Sequence, residues 1–222
     1  VTDFFSYSDT LNSVVFYGGE PLLNKEGVKY ALQYISAINP DVKFSMITNA
    51  ILCDDDTAKM LADYHVDVIV SADGCQEYHD TARVYETGGP SYEDTIKGYW
   101  KLKNAGCVVG ISCTIGPHNE KHFNELVNWM IELHPNSAWF GLPHGSQDNY
   151  AMGLEDADCT HKNLLASFPV LREDGVSLLQ VEKKIRDLLM NNIIAYDCKA
   201  CKNRLVACPG GRYGVCEGAV TD

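Results

Sequence analysis

Short apolar runs alternate along this chain with stretches in which apolar side chains recur every three or four positions. The runs beginning at Val14 and spanning Val42–Thr48, Val66–Val70, Cys107–Ile115 and Ala138–Leu142 read as buried strands. The stretches at roughly 26–38, 55–64, 91–104 and 119–133 carry helical spacing. Strands alternating with helices imply right-handed crossovers and a parallel sheet. Nearly continuous apolar strands imply burial on both faces. An amphipathic helix around Leu178–Met190 follows a variable stretch, 143–176, and leads into a tail rich in glycine and cysteine.

Each strand ends on a polar tip, and in α/β proteins the carboxyl ends of strands are where sites are built. The first tip is the most telling: Tyr17-Gly18-Gly19-Glu20-Pro21. Paired glycines let backbone approach a ligand where any Cβ would collide, and Glu20 beside them is a carboxylate suited to an ammonium group. The later tips are Thr48-Asn49-Ala50, Ser71-Ala72-Asp73-Gly74, Gly116-Pro117-His118-Asn119 and Pro143-His144-Gly145.

Composition narrows the classes. The 222 residues, 45% apolar and 22% charged, suit one sizeable globular domain with an appendage. No apolar stretch approaches the roughly 20 residues of a membrane helix, and no secretory signal is visible at the N-terminus, so no membrane partner is expected. A net charge of −12 without a lysine or arginine cluster argues against binding along a nucleic-acid backbone. Nine cysteines without a signal sequence fit a reducing, cytoplasmic setting better than a disulfide framework. Cys107 and Cys113 fall in an apolar run and read as small buried hydrophobes. Cys198, Cys201, Cys208 and Cys216 crowd into 19 residues, which is the density of a metal-ligand set.

The ordered series Phe16-Tyr17-Gly18-Gly19-Glu20-Pro21-Leu22-Leu23, Ile47-Thr48-Asn49, Val70-Ser71-Ala72-Asp73-Gly74, His79-Asp80 with Arg83, and Cys113-Thr114-Ile115 before the Pro117-His118-Asn119 turn resembles radical S-adenosylmethionine (SAM) enzymes. More narrowly, it is similar to the peptide- and protein-modifying branch that carries a cysteine-rich SPASM or twitch domain. The resemblance covers about residues 10–145 strongly and 196–218 more weakly. It implies an α/β fold: a partial (β/α)6 barrel of parallel strands over 1–145, a variable segment and helix over 146–195, and the start of an auxiliary-cluster domain over 196–222.

The same resemblance assigns roles. Gly18, Gly19, Glu20 and Pro21 would hold the methionine end of SAM, with Glu20 and glycine backbone on its α-amino group. Thr48 and Asn49 would line the cavity. Ser71 and Asp73 would reach the carboxylate and ribose, Arg83 would pair with the methionine carboxylate as a two-pronged donor, and Leu142 would lie near the adenine. Ala50 stands where the family usually has glycine, which leaves open how tightly that turn closes. His79 and His144 read as loop residues, His79 as a local hydrogen-bonding partner of its turn, and no residue is named as catalytic acid or base.

The family's C-x3-C-x2-C, whose thiolates hold the 4Fe–4S cluster that reduces SAM to a 5′-deoxyadenosyl radical, does not occur in this sequence. The chain is therefore expected to be an internal fragment with an exposed sheet edge, inactive alone and prone to self-association, the alternative being true loss of the cluster. In the tail, Cys201, Gly211 and Cys216 give a C-x9-G-x4-C spacing that fits the opening of a SPASM domain. Spacing does not separate zinc from an iron–sulfur cluster there. The implied activity is hydrogen-atom abstraction on a peptide or protein substrate, forming thioethers or formylglycine, fed by a flavodoxin or ferredoxin. Competing readings are a degenerate, non-catalytic peptide-binding protein with a structural zinc site, and a metal-free nucleotide-binding α/β domain, which lacks a G-x-G-x-x-G or P-loop.

Overall fold

A computed structural model describes residues 13–142, 154–191 and 205–214. Two compact units divide the chain at Glu182 and Lys183. In the first, β1 (Ser13–Phe16), β2 (Lys43–Thr48), β3 (Asp67–Ser71), β4 (Val109–Thr114), β5 (Ser137–Gly141) and β6 (Ser177–Leu178) form one sheet in sequential order, every pair parallel. The connections carry α1 (Lys25–Ile38), α2 (Asp55–Asp63), α3 (Gln76–Ala82), α4 (Tyr92–Asn104), α5 (Phe123–Leu133) and α6 (Leu154–Glu173). A helix α7 (Leu179–Leu189) begins in the first unit and ends in the second. Right-handed crossovers that step always in one direction set their helices on one face of the sheet. This is the winding of a partial (β/α) barrel, not of a doubly wound sheet.

Alternation along the strands follows from that one-sided cover. Phe44 and Met46 of β2, Val68 and Val70 of β3, Ile111 and Cys113 of β4, and Ala138 and Phe140 of β5 are buried in one core with Leu32, Leu61, Leu102, Leu126 and Met130 of the helices. The opposite face carries half-buried Ser45, Ile47, Ile69, Ser71, Ser112 and Thr114, and exposed Val15 and Trp139. The sequence suggests burial on both faces; among the described residues, full burial is confined mainly to the helix side.

Helix starts are capped as the local sequence dictates. Asn24 Oδ1 accepts from Gly27 N at 3.0 Å to open α1, and Asp54 Oδ1 accepts from Thr57 N at 2.8 Å to open α2. The Lys25 ammonium, 2.5 Å from Asp54, holds that carboxyl well below its ordinary range.

Three elements depart from the sequence reading. α3 occupies what reads as a turn, and α6 fills most of the stretch read as variable, although Pro169 inside it removes one backbone donor. The sheet does not stop near 145, because β6 pairs with β5 through Ser137–Ser177 and Ala138–Leu178 and the first unit runs on to Glu182. In the second unit, β7 (Val206–Cys208) and β8 (Arg212–Gly214) form an antiparallel hairpin. Its turn needs glycine twice, since Gly210 and Gly211 adopt φ of 79° and 75°. No helix of the described residues is long and apolar enough to cross a membrane.

Candidate functional site

The parallel sheet brings all the strand tips to one end. At the first, Gly18 has φ of 143°, and a Cβ built on Gly18 or Gly19 would meet nothing within 4 Å. These two glycines present bare, exposed backbone. Pro21 opens a single 3-10 turn, and Glu20 caps it: its Oε1 accepts from Leu22 N at 3.0 Å. The same Oε1 accepts from Thr48 Oγ1 at 2.6 Å, and Oε2 accepts from Asn49 N at 2.8 Å. Glu20 thus ties the tip of β1 to the tip of β2. A carboxylate offers about four lone-pair directions. Three protein donors leave one acceptor direction, on Oε2.

The β2 tip is itself fixed. Thr48 Oγ1 accepts from Ala50 N at 2.9 Å, and Asn49 Oδ1 accepts from Ile51 N at 3.0 Å. Ala50 lies in the left-handed region at φ of 60°, so the turn closes as a glycine would close it, at a cost of about 1 kcal/mol for the Cβ. Gly98 of α4 makes this possible from the other side, since a Cβ there would lie 2.0 Å from the Ala50 carbonyl oxygen.

The second cluster centres on Asp73, which is fully buried. Its Oδ2 accepts from Arg83 Nε at 2.7 Å and its Oδ1 from Thr114 N at 2.8 Å. Arg83 Nη2 donates to Thr114 Oγ1 at 3.2 Å. The guanidinium has five N–H groups, and two of them are used here. Three, including both on Nη1, take no partner among the described residues, and the side chain stays 31% exposed above a carboxylate that is 0% exposed.

Around this pair a buried frame closes. Asn119 donates to the Asp73 carbonyl at 3.0 Å and to the Thr114 carbonyl at 2.9 Å, and accepts from Gly116 N at 3.0 Å. His79 Nδ1 accepts from Asp73 N at 3.4 Å, while His79 Nε2 and Ser91 Oγ lie 3.1 Å apart. Ser91 Oγ in turn donates to the Arg83 carbonyl at 2.7 Å. Burial pushes His79 down to about 4, against the opposing pull of Asp73, so the ring is neutral with its proton on Nε2. Asp80 accepts from Ser91 N at 2.8 Å and from Tyr92 N at 2.9 Å, which fixes the start of α4. His118, 3.9 Å from Asp73 Oδ2, is also shifted down by burial.

The residues singled out in the sequence thus fall into two groups at one end of the sheet. Gly18, Gly19, Glu20, Pro21, Thr48 and Asn49 form one, and Asp73 and Arg83 the other. Ser71 lies opposite Ser112 at the end of β3, and Leu142 packs half-buried on the core past β5. Among the hydrogen bonds and ion pairs of the described residues, none joins Glu20 to Arg83. Asp73, expected to reach the cofactor, is instead sealed beneath Arg83. The frame residues Ser91, Thr114 and Asn119 were not assigned roles from sequence, although Thr114 and Asn119 sit in the quoted tips. Cys208 ends β7 half-buried, whereas Cys198, Cys201 and Cys216 lie outside the described residues, as does His144. No group of three or more His, Cys, Asp or Glu placed to hold a metal ion occurs among the described residues.

Comparison with known proteins identifies a family and a shared fold. The model of the Radical SAM superfamily matches residues 5–130. An uncharacterized protein of Methanocaldococcus jannaschii is 30% identical over 172 residues, 76% of this chain and 60% of its own length. The radical SAM cyclopropyl synthase TigE of Paramaledivibacter caminithermalis is 29% identical over 115 residues, half of this chain and 23% of its own. The solved structure of native anSMEcpe with bound AdoMet has a TM-score of 0.83 at 22% identity, covering 95% of this chain and 61% of that one. Its complex with AdoMet and the Cp18Cys peptide has a TM-score of 0.74 at 22% identity, covering 88% and 57%. The chain spans less than two thirds of each of these proteins.

Proposed function

The chain belongs to the radical SAM superfamily, and from that membership we propose that it forms the S-adenosylmethionine-holding part of an enzyme that modifies a peptide or protein by hydrogen-atom abstraction. One observation carries the reading. At one end of one parallel sheet, a carboxylate with an open acceptor direction stands beside bare glycine backbone, and a guanidinium with open donors stands over the strands further along. An amino-acid zwitterion is complementary to that arrangement.

The residues fit the amino-acid head of SAM. Glu20 would accept from its ammonium, with the backbone of Gly18, Gly19 and Pro21 alongside, and Thr48 and Asn49 hold Glu20 in place. Arg83 would donate to the methionine carboxylate, where Ser71 offers a hydroxyl, and Leu142 would lie toward the adenine. The anchors of Glu20 and Arg83, the ends of β2 and β4, are two strand spacings apart, about 10 Å. Two long side chains and a head with hydrogen bonds of roughly 2.8 Å at either end can cover that span. Asp73 is not a ligand in this reading, because it is fully buried beneath Arg83.

When bound and reduced, SAM supplies the oxidant that removes a hydrogen atom from substrate; the residues named here bind and orient it. The family's 4Fe–4S cluster is a separate matter. Without a group of three metal-binding side chains among the described residues, these residues do not fit it, and no step is assigned through it. The Cp18Cys peptide bound in the anSMEcpe complex supports a peptide or protein substrate, with thioether or formylglycine formation as the expected outcomes. A flavodoxin- or ferredoxin-type donor and a cytoplasmic setting belong to the same proposal. So does a second metal site at Cys198, Cys201, Cys208 and Cys216, holding an auxiliary iron–sulfur cluster or, alternatively, zinc. The Gly210–Gly211 turn supports a hairpin there.

The test is anaerobic reconstitution of the full-length protein with iron and sulfide, reduction in the presence of SAM, and chromatography for 5′-deoxyadenosine. Its appearance is the expected result. None formed under reduction ends the proposal.

A further inference from the structure

Asp73 is a charged group fully enclosed at the strand tips. It is 0% exposed, while its partner Arg83 is 31% exposed. Each carboxylate oxygen accepts one protein hydrogen bond, Oδ2 from Arg83 Nε and Oδ1 from the Thr114 backbone. Its own N–H and C=O are taken as well, by His79 Nδ1 and Asn119 Nδ2. A group so enclosed has no surface to offer a ligand. A buried carboxylate is nevertheless costly unless paired, and it fixes the pair: the Nε of Arg83 is held on Asp73, and Nη1 has no partner among the described residues. Thr114 Oγ1 fixes Nη2 from the neighbouring strand. Arginine on a free side chain would lose rotamer entropy on binding an anion. Here the fork is set before the ligand arrives.

Resting on the proposed function, we propose that Asp73 is a positioning residue that orients Arg83 for the carboxylate of SAM, with Thr114 as the second support, and that it makes no contact with the ribose. The frame around it serves the same end. Asn119 holds the turn after β4 to the tip of β3, and the His79–Ser91 link reaches the Arg83 carbonyl, so both backbone and guanidinium of Arg83 are held. The consequence is selective. Loss of the Asp73 charge weakens the grip on one end of the ligand and leaves the nucleoside end untouched.

The experiment compares equilibrium affinities of the anaerobically reconstituted full-length protein for SAM and for decarboxylated SAM, which keeps the adenosine, sulfonium and amine but has no carboxylate. Asp73→Asn retains size and the acceptor toward Thr114 N while removing the charge. It is expected to weaken SAM about 10- to 100-fold, the range for one charge-assisted hydrogen bond, and to leave decarboxylated SAM within about twofold of wild type, the scatter of such a comparison. Thr114→Val, a milder change, is expected to weaken SAM by about threefold with the same selectivity, and it provides the test should Asp73→Asn fail to fold by circular dichroism. Equal losses for both ligands would assign Asp73 to the ribose or to the general fold and overturn the inference, as would unchanged affinity for both. If wild-type protein binds neither ligand, the proposed function itself falls; if it binds both and the variants do not discriminate, only the role of Asp73 falls.

Discussion

Replacing Gly98 by alanine sets two effects of opposite sign against each other, and the structure decides between them. Gly98 lies inside α4, where alanine should be favoured by about 1 kcal/mol on helix propensity alone. An added Cβ, however, would stand 2.0 Å from the Ala50 carbonyl oxygen, 2.8 Å from its carbonyl carbon and 3.0 Å from its Cβ. Those are mostly backbone atoms of a turn already held at φ of 60°, so no side chain can swing aside. The helix or the turn must move by roughly an ångström. A backbone contact this close belongs at the upper end of the roughly 1–3 kcal/mol that overpacking costs, about 2–3 kcal/mol, which outweighs the propensity gain of about 1 kcal/mol and leaves Gly98→Ala about 1–2 kcal/mol less stable. The turn that moves carries Asn49, whose N–H binds Glu20, so SAM affinity should fall together with stability. Urea unfolding with unchanged m-value measures the first effect and equilibrium dialysis the second. A Gly98→Ala protein that is stabilised by about 1 kcal/mol, as propensity alone dictates, would refute the close approach of α4 to the β2 tip.

Ala50→Gly should relieve the left-handed Cβ contact and, after the entropy of a freer unfolded chain, change stability by less than about 1 kcal/mol; a loss of several kcal/mol on urea unfolding would refute the strain. Stability should rise with pH across the window from about 4 to about 6.5, because buried neutral His79 titrates near 4 when folded and near 6.5 when unfolded, so the unfolded chain binds the extra proton there. That difference is worth up to about 3 kcal/mol, fully present above the upper limit and lost toward the lower one, and His79→Gln should flatten the unfolding free energy over this range. Burial lifts the Cys53 thiol up to about 12 and Cys107 up to about 11 and raises Cys113 as well; at a pH of about 8, mass-spectrometric alkylation of the folded protein should therefore reach exposed Cys159 well before these three.

Much of the fold is legible in the sequence because one-sided cover leaves a simple mark. Runs such as Val66–Val70 and Ala138–Leu142 end where glycine, proline or a small polar residue follows, and β3 and β5 begin and end within one residue of those limits. α3 is missed because Gln76–Ala82 has too few residues to show a period, and only Tyr78 and His79 of it are buried. α6 lies in the stretch read as variable; its Pro169 removes one backbone donor, a loss tolerated in a long helix packed on β6 and α5. The two charged groups proposed to hold the ligand stand out in the sequence, Glu20 in the glycine-rich first tip and Arg83 just after His79-Asp80. What the linear pattern hides is who faces whom. Asp73 lies 10 residues before Arg83 and 41 before Thr114, and only the parallel order β3–β4 brings the three together. The same holds for His79, a hydrogen-bonding partner of the turn at Asp73 that also reaches Ser91.

Glu20 and Arg83 are proposed to hold the two charged ends of one amino-acid head, and the most direct measurement is the SAM dissociation constant of the reconstituted protein with Glu20→Gln, Arg83→Gln and both together. Glu20→Gln would turn an amide donor toward protein donors from which Glu20 now accepts, and Arg83→Gln would remove the fork. Each single change is expected to weaken binding by at least about tenfold while circular dichroism stays that of wild type. Single and double variants that bind SAM within about twofold of wild type, a difference of under 0.5 kcal/mol or so, would contradict it.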